Sequence, residues 1–387
     1  MPGDDPTPTD AGQTTLVELA VLFLRLGATA FGGPAVHVAM MEDEVVRRRR
    51  WLTAERFLDL LGATNLIPGP NSTELAIHIG WERRRWAGLA VAGIAFIAPA
   101  MLLTGALGWA YTTYSRVPAV DGLLYGVKPV VLAVVVQALV GLAPRAAKTT
   151  FLRVLAVVAA GLAAAGVHEL TVLFGCGVIA FLSARMSDPG DARAPLWIPV
   201  LPLAPAVTGA GAVALPSLFW VFLKTGALLF GSGYVLLAFL RADLVERLGW
   251  LTEAQLLDAI AVGQVTPGPV FTTATFIGYV LAGPSGALVA TLGIFLPAFV
   301  LVALTAPLVP RLRASRRLAQ VLDGVNVASL ALMAVVTVQL GQQAVIDPPT
   351  LILGLIAAVL LLRFRVNATW LVLGGATTGL LVRGLHV

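Results

Sequence analysis

Residues 23–70 recur without a gap at 222–269, at a constant offset of 199. A chain that carries one pattern twice must build either two separate bodies or one body around a pseudo-symmetry axis. FLRLG (Phe23 to Gly27) meets FLKTG (Phe222 to Gly226), and Phe31-Gly32 meets Phe230-Gly231. Trp51-Leu52-Thr53 meets Trp250-Leu251-Thr252, Asp59 meets Asp258, and NLIPGP (Asn65 to Pro70) meets QVTPGP (Gln264 to Pro269). After a one-residue slip the match resumes at offset 198, pairing Ile79-Gly80 with Ile277-Gly278, Pro99 with Pro297 and Gly126-Val127 with Gly324-Val325. The expected layout is a disordered tail at 1–14, a first repeat at 15–184, a Pro-rich linker at 185–214 and a second repeat at 215–387.

What each copy is made of follows from its charge content. Only 12% of the chain is charged and 58% is apolar, against about 25% charged in soluble domains. The apolar runs recur along nearly the whole length, which predicts an all-α polytopic membrane protein with about 10–14 transmembrane or re-entrant helices. In the first repeat they fall at about 86–112, 121–143, 150–166 and 169–184, after a Gly-interrupted first helix and a hairpin at Pro-Gly-Pro. The tail lacks the basic start of a signal peptide, so the first apolar segment is expected to be retained. Net charge is +5, but the basic residues sit in short loops between apolar runs, a placement that orients helices in a bilayer and argues against a nucleic-acid partner. The single cysteine, Cys176, excludes an intrachain disulfide and a thiolate metal cluster.

Loop charge then distinguishes parallel from inverted copies, because loops rich in Lys and Arg stay on the cytoplasmic side. In the first repeat they follow the first helix (Arg47 to Arg50), the hairpin (Arg83 to Arg85) and the run ending near Ala143 (Arg145, Lys148). The equivalent loops of the second repeat hold only Arg241 and Arg247, then no basic residue at 279–285 or 341–349. Basic charge has moved instead to Arg311, Arg313, Arg316 and Arg317, and to Arg363 and Arg365. This is the pattern of an inverted-topology repeat, the architecture of many secondary transporters that work by alternating access.

Both Pro-Gly-Pro turns, Pro68-Gly69-Pro70 and Pro267-Gly268-Pro269, interrupt apolar sequence. Non-helical backbone at membrane depth is tolerated only where protein or a water-filled cavity surrounds it. The helices that start there aim free N–H groups and a positive dipole end at that cavity, so the natural ligand is an anion. Asn65, Asn71, Ser72 and Thr73, with Gln264 and Thr272 in the second copy, supply polar side chains around the turns. Gly32, Gly33 and Pro34, with Gly231, let the first helices break and offer further amides. Arg25 and Lys224 are matched cations inside spanning runs. Such a charge should pair with a carboxylate, line an aqueous path or bind an anionic substrate. Glu74 and His78 share a face at i, i+4, and either could carry a coupling proton; their second-half counterparts at offset 198 are Thr272 and Phe276. His37, His168 and His386 receive no role. Gly-x-Ser-x-Gly, His-Glu-x-x-His and Walker motifs are absent, so no catalytic residue, metal or cofactor is expected.

FGGP (Phe31 to Pro34), the tract WLTAERFLDLLGATNLIPGPNSTELAIHIG, the paired QVTPGP and FIGY, and the duplicated layout resemble the chromate ion transporter family. That resemblance implies a two-domain member in the bacterial inner membrane that exports chromate, a tetrahedral dianion similar to sulfate, driven by a membrane gradient and conferring chromate resistance. The segments it carries over are Phe31 to Pro34 and Pro68 to Pro70, with Phe230-Gly231 and Pro267 to Pro269; Gly233 stands where FGGP has its proline. A sulfate or other oxyanion carrier, and an intramembrane enzyme acting on lipid-linked phosphate, are the alternative readings. Protons and the lipid bilayer are the other expected partners, and a homodimer stays open.

Overall fold

The computed structural model describes residues 14–31, 33–114, 118–187, 213–229, 235–308 and 316–384, all of it helix and connecting turn. The tail to residue 13, most of the expected linker, Gly32 and residues 230–234 lie outside the described residues. Thr14, expected as the last tail residue, is instead buried and accepts two hydrogen bonds from the Arg83 guanidinium, at 2.9 and 2.6 Å.

Among the described residues each half contributes seven α-helices. The first has α1 (Leu16–Thr29), α2 (Pro34–Glu42), α3 (Ala54–Thr64), α4 (Asn71–Tyr114), α5 (Pro118–Ala146), α6 (Thr150–Ala164) and α7 (Glu169–Ser187). The second repeats them as α8 (Leu215–Leu228), α9 (Leu236–Leu240), α10 (Glu253–Val265), α11 (Thr273–Thr305), α12 (Arg316–Ala344), α13 (Pro348–Phe364) and α14 (Ala368–Gly384). α4, α5, α11 and α12 contain stretches long and apolar enough to cross a membrane.

The repeated Trp-Leu-Thr is a helix start. Thr53 Oγ1 accepts from the Arg56 N–H at 3.1 Å and Thr252 Oγ1 from the Gln255 N–H at 3.2 Å, which caps α3 and α10. α3 then runs 11 residues to the Pro-Gly-Pro turn, about 16 Å, and the first limb of α4, from Asn71 to Arg83, adds about 20 Å. Both arms fall short of a hydrocarbon core about 30 Å thick, the length a re-entrant hairpin has. At Arg84 and Arg85 (φ 49°) α4 folds back on itself; α11 does so at Ala282 and Gly283 (φ 62°). The limbs close because Gly80 and Gly88, and likewise Gly278 and Gly286, leave no room for a side chain between them. The change of offset from 199 to 198 also has a local cause. The second copy opens with a 3-10 turn, Val270–Thr272, and three residues at 2.0 Å rise cover the same roughly 6 Å as four α-helical ones.

Packing obeys a pseudo-two-fold exchange of the halves. Within each half α1 lies on α4 and α8 on α11. Across the halves α5 packs on α13 and α14 while α12 packs on α6 and α7, and α4 meets α11 and α5 meets α12 on the axis. Tyr125 Oη, near the start of α5, donates to Asp347 Oδ2 just beyond the end of α12 at 2.7 Å. At the opposite ends, Lys148 Nζ meets Asp323 Oδ1 at 2.9 Å. α5 and α12 are therefore antiparallel, and because they are equivalent helices the two repeats are inverted, as the loop charges predict. The outer surface is apolar, with Leu102, Val157, Leu292, Leu355 and Leu381 each more than half exposed, a surface that suits lipid and not water.

Candidate functional site

The two turns meet the two helix breaks, each across the pseudo-axis. Gly69 N–H donates to Leu229 O, at the end of α8, at 2.8 Å. Gly268 N–H donates to Ala30 O, at the end of α1, at 3.0 Å. Both glycines have positive φ, 139° and 86°. A Cβ on Gly268 would press the Gly27 carbonyl oxygen and Ala100 Cβ at 2.8 and 2.9 Å, so the turn requires glycine. Each half's turn thus bonds the end of the other half's first helix, at two contacts related by the pseudo-axis.

Around this crossing the first half is polar and enclosed. Ser72, Thr73, Glu74 and His78 on the first limb of α4 are all buried. Thr73 Oγ1, both Glu74 carboxylate oxygens and both His78 ring nitrogens have no hydrogen-bond partner among the described residues. The Glu74 carboxylate lies directly against Gly69, close enough that a side chain at that glycine would strike Oε1. His37 on α2, given no role from the sequence, belongs here as well. Its Nε2 lies 3.0 Å from Ala30 O and its Nδ1 3.1 Å from Ser72 Oγ. A carbonyl cannot donate, so the proton is assigned to Nε2 and Ser72 is the donor to Nδ1. Ala30 O consequently accepts from both His37 and Gly268.

The other expected residues distribute around this centre. Asn71 Nδ2 donates to Asn65 Oδ1 at 2.9 Å, which ties the two ends of the first turn together. In the second half Thr272 Oγ1 donates to Pro269 O at 2.8 Å, while Gln264 is half-buried beside its turn. Gly33 (φ 83°) and Pro34 start α2, and Pro68, Pro70, Pro267 and Pro269 flank the turn glycines. Gly32 and Gly231 fall outside the described residues.

Arg25 and Lys224 are engaged elsewhere. Arg25 pairs with Glu44, and Lys224 Nζ bonds Asp243 Oδ1 at 2.7 Å. The acids, like the cations, are separated by 199 and sit on the π-helical turns Asp43–Arg48 and Arg241–Arg247. Both acids are buried, and each draws further guanidinium: Arg48 and Arg49 reach Glu44 at 3.4 and 3.2 Å, and Arg247 reaches Asp243 at 2.8 Å. Of the fates open to a cation in these runs, pairing with a carboxylate is the one observed. A cavity of about 650 Å³ lies beside Arg25, Glu44 and Arg48. The matched aspartates diverge: Asp59 stands 4.0 Å from Arg56, whereas Asp258 pairs with Lys128 at 3.0 Å and accepts from Tyr111 Oη at 2.9 Å.

Sequence reasoning missed His37, the two acids and the Lys128–Asp258 pair. The acids carried a usable signal, since Glu44 and Asp243 recur at the same offset as the cations they hold. His37 and Lys128 have no like residue at the matched positions, Leu236 and Asn326.

A family description named chromate transporter matches the chain twice, over residues 17–181 and 216–380. A chromate transport protein of Cupriavidus metallidurans is 31% identical over 97% of this chain and 96% of its own. One from Pseudomonas aeruginosa is 32% identical over 87% and 84%, and a probable chromate transport protein of Synechococcus elongatus is 32% identical over 89% of both chains. No solved structure matches the chain.

Proposed function

Because this chain belongs to the chromate transporter family, we propose that it exports chromate across the bacterial inner membrane by alternating access, as a secondary transporter without catalytic chemistry. The observation that supports this reading is the reciprocal bonding of Gly69 to Leu229 and Gly268 to Ala30, which sets each repeat's turn against the other repeat. A tetrahedral dianion held beside the turns takes first-turn amide N–H groups and the Thr73 hydroxyl, which has no partner among the described residues, with the helix dipoles favourable. Arg25 and Lys224 anchor the broken helices through Glu44 and Asp243.

The energy source follows from the charge of the cargo. One elementary charge crossing 100 mV is worth about 2.3 kcal/mol, so a dianion leaving a cell interior 100 mV negative gains about 4.6 kcal/mol. Export needs no ATP on these terms. Glu74 adds a proton requirement, because an ionised carboxylate against the first turn repels a dianion, whereas the protonated form donates a hydrogen bond. Oxyanion and proton then bind together, and one net negative charge still moves outward. His78, one turn further along, and His37, through Ser72, are the neighbouring titratable groups.

Purified protein in proteoliposomes should release trapped chromate faster when the interior is made negative, and more slowly as pH rises. Glu74→Gln should flatten that pH profile. Transport indifferent to membrane potential would sink the energetic reading, and sulfate carried in place of chromate would sink the substrate.

A further inference from the structure

The two hairpins are equivalent in sequence but not in surroundings. α10 packs on α5 of the first half and on α12 and α14 of its own, whereas α3 packs mainly on α4. Matched residues show what this leaves uncovered. Leu257 is 2% exposed and Leu58 58%; the Asp258 side chain is 5% exposed and that of Asp59 31%. Leu256, Leu257 and Ile260 join the apolar core of α5 and α12, while Phe57 and Leu60 belong to a separate core with α1 and α4. Asp258 is also held across the repeats, by Lys128 Nζ at 3.0 Å and by Tyr111 Oη at 2.9 Å. α10 is therefore docked on the helices around the pseudo-axis, and α3 stands off from their counterparts.

The uncovered face of α3 is not a lipid face. It carries Glu55, Leu58 and Asp59 and leads to Asn65 beside the Pro-Gly-Pro turn; exposed polar groups at membrane depth line water. α3 starts beside the basic stretch Arg47 to Arg50, the cytoplasmic end under the positive-inside rule, and α10 starts at the opposite end. We infer that this conformation is open to the cytoplasm along α3 and shut on the outer side by α10, with Lys128, Asp258 and Tyr111 as the outer lock. Because the repeats are inverted, the outward-open conformation is built by the opposite docking: α10 leaves α5, and α3 closes on α12, α5 and α7, the counterparts of α5, α12 and α14. Asp59 then meets Asn326, which stands at the position matched to Lys128. The inner closure lacks the ion pair of the outer one, and this difference in contacts biases the resting molecule toward an open inner side. That is the side from which an exporter takes its cargo.

This inference rests on the alternating-access part of the proposed function and not on the identity of the cargo, and thiol labelling of cargo-free protein separates the two. In a Cys176→Ala background, in proteoliposomes of known orientation, Leu58→Cys should react with an impermeant maleimide from the cytoplasmic side and Leu257→Cys from neither side. Lys128→Gln/Asp258→Asn opens the outer lock without leaving an unpaired buried ion. It should slow labelling of Leu58→Cys about fivefold and expose Leu257→Cys to the outer side. Asn326→Lys, which offers Asp59 an ion pair, should move both rates in the same directions. An unreactive Leu58→Cys, a Leu257→Cys that reacts as fast with the lock intact, or rates unmoved in both lock variants overturns the inference and leaves chromate transport standing. The expected labelling without chromate flux in the same vesicles overturns the cargo and leaves the lock.

Discussion

Asp243 is 1% exposed, and its carboxylate is shared between Lys224 and Arg247. Replacing Lys224 with Met strips one cation from a desolvated anion. The expected loss is about 2–3 kcal/mol, at or below the low end for a broken buried pair because Arg247 remains. Lys224→Met/Asp243→Leu should recover most of that loss, and thermal unfolding of the purified variants in detergent checks both. If the single variant unfolds like wild type, the pair does not hold α8 to the π-turn. At this scale the sequence was legible where a recurring residue is also out of place in its run. Arg25 and Lys224 stood out because a cation inside an apolar run is anomalous twice over. Glu44 and Asp243 did not, because each sits among other acids and arginines, where a carboxylate reads as loop charge. Glu74 and His78 were visible as polar residues in an apolar helix, but that nothing described partners them required the structure.

The folded-back helices give a comparison between two copies of one element. The residue at the reversal is Arg85 in the first half and Gly283 in the second, both at positive φ. With ψ at −132° and −153° both lie outside the left-handed helical well, in backbone space open almost only to glycine, which costs another residue about 1–3 kcal/mol; for Arg85 this is partly offset by its lying 5.6 Å over the Trp81 ring, worth about 0.5–1 kcal/mol. Gly283→Ala should therefore cost about 1–3 kcal/mol through backbone strain alone, since nothing lies within 4 Å of the added Cβ. Gly80→Ala should cost more, because its Cβ would fall 2.2 Å from the Gly88 carbonyl oxygen. Equal unfolding temperatures for the two variants would contradict the close limb contact. Sequence marked both reversals, as a basic loop and as a break between apolar runs. It left undecided whether the hairpins span or turn back, because that depends on arm length, which the caps at Thr53 and Thr252 set.

At the scale of the whole molecule, the inversion of the repeats is exposed to a direct test. In a Cys176→Ala background, cysteines at Tyr125 and Asp347, and separately at Lys148 and Asp323, should each be joined by a short bis-maleimide. Impermeant thiol labels should reach positions 148 and 347 from opposite sides of the membrane. Labelling of both from one side would contradict antiparallel α5 and α12. Sequence gave access to this level through the migration of basic charge from one set of loops to the other. It could not show that α5 and α12 trade places, each packing on the other repeat's last two helices, because no periodicity records which of several apolar faces becomes a helix's neighbour. The Gly69–Leu229 and Gly268–Ala30 bonds carry that exchange into the crossing of the turns. A side chain at Gly268 would press first on Gly27 and Ala100 of the opposite copy, and the Gly69 amide ties its turn to Leu229, so at these positions neither copy changes without the other. Elsewhere they can part ways, and they have done so where one copy has Lys128 or His37 and the other Asn326 or Leu236.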